Sequence, residues 1–171
     1  MRALKSWFCI LLAFAAVPAS GQQAVMPFVD WDQGEWHVYR LDENDCWMVR
    51  STADGGHLSI SVARKDRGFY LAVAKPMWAI AVGGPYPVQV RFGNVAKIFN
   101  ARRIHGFEPA TVSMSTRTSG TDFPALLHAR DISFLLPGGE RFQSPLDPAA
   151  LRAFSGCATS LGGVASAVEQ D

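Results

Sequence analysis

The side chains in this 171-residue chain that could do chemistry are four histidines, three cysteines and a run of carboxylates between Asp32 and Asp45. Histidines hold a metal when two share one face of a strand or helix, as in HxH or HExxH. His37, His57, His105 and His128 show no such spacing, so no metal site is expected. Asp32, Glu35, Asp42, Glu43 and Asp45 are dense enough to offer an acid and a base for proton transfer. The same residue types hold turns together by accepting backbone N–H bonds, and LDENDC (residues 41–46) is a turn sequence, so a turn role is the simpler reading. A G-x-S-x-G nucleophile elbow is absent. Gly83-Gly84-Pro85 and Gly138-Gly139 lack the Lys-Ser/Thr that a phosphate loop needs, and both read as turns between strands. The catalytic set is therefore empty, no cofactor is implied, and the chain does not read as an enzyme.

The cysteines depend on how the chain begins. MRALKSWFCILLAFAAVPASG carries Arg2 and Lys5, then an apolar run from Trp7 to Val17, then Pro18 and the small residues Ala19-Ser20-Gly21. This is the pattern of a signal peptide over residues 1–21, cleaved after Gly21, with Ala19 as the alternative site. The apolar run is shorter than the ~20 residues a spanning helix needs. No transmembrane anchor is therefore expected after processing. Bulky Trp7 and Phe8 before Cys9 do not fit a lipidation site. Cys9 leaves with the leader. Cys46 and Cys157 remain, and in an oxidising compartment they have one possible pairing. A periplasmic or secreted location follows from the same pattern.

The whole chain has 16 basic and 15 acidic side chains. Loss of Arg2 and Lys5 takes its net charge from +1 to −1 with neutral histidines. Such a balance exerts no long-range pull on nucleic acid or anionic lipid, and basic doublets such as Arg102-Arg103 fall far short of a nucleic-acid stripe. No nucleic-acid partner is expected.

Aromatic residues are the remaining candidates for contact. Alternation in WHVYR, CWMVRS and FYLAVA points Trp36, Val38, Cys46, Met48, Phe69 and Leu71 inward. His37, Tyr39, Trp47 and Tyr70 then fall on the opposite face. One-sided sheets normally turn polar residues to water, as Ser59, Ser61 and Gln89 would. Aromatic side chains on that face are what interfaces enrich, so these four form a candidate contact surface. The alternative is that the segment around Phe28 and Trp31, or a helix, covers this face and makes a second small core.

The elements that must hold these residues are mostly strands. LSISVAR, FYLAVA and VQVRF alternate clearly, with Lys65-Asp66-Arg67-Gly68 as a hairpin turn in which Gly68 supplies a positive φ. WHVYR and CWMVRS are shorter strands, KIF and TVSMS weaker ones, and ISFLL and RFQS flank a PGGE hairpin. Two short helices are expected. SGTDFPALLHAR has Thr121 as cap and Asp122 at the positive end of the dipole. PLDPAALRAFSGC has Asp147 as N-cap and Pro148 at the first helical position. Leu151, Phe154 and Cys157 share a face of that helix, so the disulfide would pin it to the strand that begins at Cys46. The fold class is mainly β (α+β): an antiparallel, β-sandwich-like core with two short helices and one disulfide. Residues 22–157 form one domain, residues 22–34 within it lack periodicity, and residues 158–171 read as a flexible tail.

The block from Phe123 to Cys157, F-x-x-L-L-x-A-x-x-I-x-F-x-x-P-G-G-x-x-F with A-L-R-x-F-x-x-C after it, resembles the C-terminal half of a set of small exported bacterial proteins without an assigned function. Those proteins pair it with an early W-x-V strand and a cysteine, as Trp36-x-Val38 and Cys46 do here. The chain is more distantly similar to the invasion-associated protein B family, whose closely spaced cysteines it lacks. The resemblance implies a compact β-rich exported protein and carries over no catalytic residue. The expected role is a non-catalytic binding or interaction module of the bacterial envelope, its partner an envelope or secreted protein. A small periplasmic enzyme with residues scattered among loops, or a purely structural envelope protein, are the alternatives.

Overall fold

In the computed structural model the described residues are 28–33, 35–64, 68–76, 78, 84–104 and 111–162, with side chains described for all but 28–33, 103–104 and 111–115. The leader expected over residues 1–21, the turn residues 65–67, His105 and residues 163–171 lie outside them.

Among the described residues the strands are β1 (Phe28–Gln33), β2 (Trp36–Arg40), β3 (Asp45–Ser51), β4 (His57–Ala63), β5 (Gly68–Pro76), β6 (Tyr86–Phe92), β7 (Val95–Ile104), β8 (Thr111–Ser119), β9 (Asp131–Leu135) and β10 (Arg141–Pro145). Helix α1 (Phe123–Leu127) is entered through a 3-10 turn at Gly120–Asp122, and α2 (Pro148–Ser160) closes the fold. Every strand pairing is antiparallel, in the order β1-β2-β3-β4-β5-β8-β7-β6-β9-β10. Strand β7 belongs to two sheets. Its residues Val95 to Ala101 pair with β6, and Arg102 to Ile104 pair with β8. The first sheet is thus β1 to β5 with β8, and the second is β6, β7, β9 and β10.

The two sheets bury their inner faces together with the helices. Trp36, Val38, Cys46, Met48, Leu58, Ile60, Phe69 and Leu71 are all buried, as alternation requires. A run of ring contacts links the layers: Phe92 on β6 meets Phe69 on β5 at 6.0 Å between centroids, Phe69 meets Phe123 on α1 at 5.7 Å, and Phe123 meets Phe154 on α2 at 5.9 Å. Each such fully buried ring contributes about 1.5–3 kcal/mol of transfer free energy.

Helix α2 forms where its caps dictate. The Asp147 carboxylate accepts from the amides of Ala149 at 2.6 Å and Ala150 at 3.0 Å, and Pro148 sits in the first turn where its missing N–H costs nothing. Leu151, Phe154 and Cys157 face the core. Cys157 is bonded to Cys46 with a Cα–Cα separation of 6.0 Å, which pins α2 against β3. The fold is therefore mainly β with two helices and one disulfide.

Several local expectations need correction. The flexible tail does not begin at residue 158: α2 runs to Ser160, Ala158 and Leu161 are buried, and Gly162 ends the helix at φ +66°. Strand β1 forms where no periodicity was readable. A bulge between Val29 and Trp31 shifts its register against β2, and one extra residue is enough to break a period of two. Gly68 is not a positive-φ turn residue. It is the first residue of β5, opposite Ser119, and a Cβ there would collide with the carbonyl oxygen of Thr118. The 3-10 turn is capped by Ser119 rather than Thr121, its hydroxyl accepting from the Thr121 amide at 3.4 Å. The PGGE hairpin is as expected, with Gly138 and Gly139 at φ +97° and +88°.

Candidate contact surface

The register of the first sheet decides which outward side chains meet. Tyr39 on β2 lies opposite Trp47 on β3, Trp47 opposite Ser61 on β4, Ser61 opposite Tyr70 on β5, and Tyr70 opposite Arg117 on β8. Three of the four expected contact residues therefore form one row across the sheet, with neighbouring strands about 4.8 Å apart. His37 lies on the same face in the next row, aligned with Val49, Ser59 and Ala72. The helices and the second sheet pack on the opposite face. Cys157 reaches β3 through inward-facing Cys46, and Phe92 reaches β5 through inward-facing Phe69.

His37, Tyr39, Trp47 and Tyr70 are all half-buried, neither lost in a core nor free in solvent. Strand β4 contributes only the small side chains of Ser59 and Ser61 to these two rows, between the positions of Trp47 and Tyr70. Ser61, between the two rings in the register, is 8% exposed despite its hydroxyl. The Arg117 guanidinium stands 5.8 Å from the Tyr70 ring centroid, within cation–π range. Burial pushes the Tyr39 hydroxyl above its ordinary value of 10.0, and the Asp45 carboxylate adds to the shift. The indole Nε1 of Trp47 is buried and has no hydrogen-bond acceptor. A buried donor left unpaired costs about 1–3 kcal/mol. The row thus carries a large apolar surface, a cation and an unspent donor.

The remaining sequence candidates do not assemble. Asp45 Oδ1 accepts from Leu41 N at 2.9 Å, and Asp42 Oδ1 accepts from Asn44 N at 2.6 Å, so both carboxylates hold the β2–β3 turn. Glu35 pairs with Arg50, Glu43 is exposed, and the side chain of Asp32 lies outside the described set. His57 shares a hydrogen bond of 3.1 Å with Ser51, and His128 is exposed beyond α1. No group of three His, Cys, Asp or Glu residues converges among the described residues. Both disulfide cysteines are buried and carry no thiol to act as nucleophile.

Two polar pairs escaped the sequence reading. Arg50 extends between the sheets to Glu35 and to Ser144 on β10. Lys97 on β7 donates to both oxygens of Asp122, at 2.7 and 2.8 Å. Arg50 was findable, because it shares the inward alternation of Cys46 and Met48 and is the one charge in that set. Asp122 stands at the start of α1, as expected from the sequence, and its buried carboxylate is in addition paired with Lys97.

No family model, curated protein or solved structure matches this chain. Among the described residues no helix is long and apolar enough to cross a membrane.

Proposed function

We propose that this protein is an exported, non-catalytic binding module of the bacterial envelope, periplasmic or secreted, and that the outer face of its first sheet is the contact surface. The observation that carries the reading is the row of Tyr39, Trp47 and Tyr70 on the face opposite the helices and the second sheet. Interface cores enrich Tyr, Trp and Arg because they offer area at low entropic cost, and Arg117 completes the row. Export is supported by the charged start, the apolar run and the small residues before Gln22. The disulfide agrees with an oxidising compartment.

The test is to place a photo-crosslinking amino acid at position 70 in the full-length protein in cells, with and without Trp47→Ala. A crosslinked envelope protein that disappears with Trp47→Ala, while circular dichroism shows the variant still folded at the temperature of the experiment, is the expected result. The same crosslinks in both backgrounds would remove the row from the contact. Intact mass from the envelope fraction should match a chain starting at Gln22.

A further inference from the structure

A second feature lies on the other side of the molecule, where the end of α1 meets α2. A cleft of about 580 Å³ opens there. That is the size of sites that take small organic ligands, roughly 300–1,000 Å³. Its floor is apolar: Leu146 and Leu151 are buried and Leu127 is half-buried. Its rim carries His128, Arg130 and Arg152, all exposed. The backbone fixes this arrangement, since the Leu146 amide donates to the Arg130 carbonyl at 2.9 Å and joins the two walls.

The charge pattern is one-sided. No carboxylate lines the cleft. Neither Arg130 nor Arg152 enters an ion pair among the described residues. The nearby Asp147 carboxylate is already engaged by the amides of Ala149 and Ala150. The mature chain is otherwise close to electroneutral, so this local excess of positive charge is not part of a general basic surface. Two guanidiniums offer planar, paired donors suited to a carboxylate or phosphate, and the leucine floor offers nothing to a polar body.

We propose that this cleft binds a free single-chain amphipathic anion, its acidic head between Arg130 and Arg152 and its hydrocarbon chain on Leu127, Leu146 and Leu151. The head supplies orientation and the chain supplies affinity. Chain length is therefore read by the site, with a limit of about fourfold tighter binding per methylene when burial is complete.

Titration calorimetry on the mature protein, with ligands kept below micelle formation, tests this. Decanoate should bind, and at least twofold more tightly than octanoate for each added methylene. Decyltrimethylammonium, with the same tail and the opposite charge, should bind at least tenfold more weakly, and acetate should not bind. Arg130→Gln with Arg152→Gln should weaken decanoate about tenfold, the scale of a charge-assisted hydrogen bond, and leave the melting temperature unchanged because both side chains are exposed. Equal binding of the cationic amphiphile, or unchanged binding by the double variant, would overturn the proposal. So would sedimentation with phosphatidylglycerol vesicles in the absence of decanoate binding, because the occupant would then be a bilayer surface.

Discussion

Arg50 on β3 donates to the hydroxyl of Ser144 on β10 at 2.7 Å, and this bond joins the inner faces of the two sheets. The guanidinium also donates through Nε to Glu35 at 2.9 Å, while the Ser144 hydroxyl donates onward to the Pro145 carbonyl at 3.1 Å. A charge placed among apolar residues is tolerated only when its donors are used. Ser144 is completely buried, whereas the Glu35 side chain is 62% exposed.

The two partners of Arg50 should therefore differ in energetic weight. Ser144→Ala strands a guanidinium donor away from water and should cost about 1–3 kcal/mol. Glu35→Ala removes a largely solvated ion pair and should cost less than about 1 kcal/mol. Urea unfolding of the two variants, compared at equal m-value, gives the order. An equal or reversed cost would show that Arg50 is held chiefly through Glu35.

The disulfide should carry a larger share. It closes a loop of 111 residues between β3 and the last helix. Long loops gain most from closure in the chain-entropy account, with typical values of about 2–4 kcal/mol. Cys157→Ser should lower the melting temperature and leave the strand signature in circular dichroism intact, because the sheets have their own core. Thiol titration of the native oxidised protein should find no free thiol at Cys46 or Cys157.

How much of this was legible beforehand follows from where alternation holds. Strands β2 to β6 alternate apolar residues through their central positions, so most of their inward sets are readable one by one. Strand β7 was nearly invisible. Its inward positions include Lys97, which reaches Asp122, and its outward positions include Ile98, which is 71% exposed. The contact row required two kinds of information. Alternation placed His37, Tyr39, Trp47 and Tyr70 on one face, but only register separates His37 from the other three. The Arg130–Arg152 cleft had no signal at all, since its walls meet through tertiary packing of two helices that are separate in sequence.

Tyr39 gives a pH signature for the outer face. Its folded-state value is raised above 10.0 by burial and by Asp45. The neutral hydroxyl is thus favoured in the folded protein. The associated stability is fully present below pH 10 and is lost as pH rises through the raised folded value. Tyr39→Phe should remove that part of the alkaline loss of stability. Absorbance titration of the phenolates should show a late-titrating component that is missing in the variant. A Tyr39→Phe protein with the same alkaline profile would place the late group elsewhere.

Trp47 separates packing from polar function most cleanly. Its ring is half-buried between Tyr39 and Ser61 in the register, and its buried Nε1 has no acceptor. Trp47→Phe keeps an aromatic ring and removes the unpaired donor. In the free protein the relief of the unspent N–H offsets the lost ring area, so stability should change by less than about 1 kcal/mol in either direction. Trp47→Ala removes the ring as well and should cost more, within the range of about 3–5 kcal/mol for full burial and below its top because the site is only half-buried. If the outer face is the contact surface, a partner's acceptor can take up the idle donor. Trp47→Phe should then weaken association while leaving unfolding nearly untouched. Chemical denaturation measures the first quantity, and crosslinking yield at position 70 measures the second. A Trp47→Phe variant that loses stability as Trp47→Ala does, yet crosslinks normally, would make the indole a packing residue with no part in recognition.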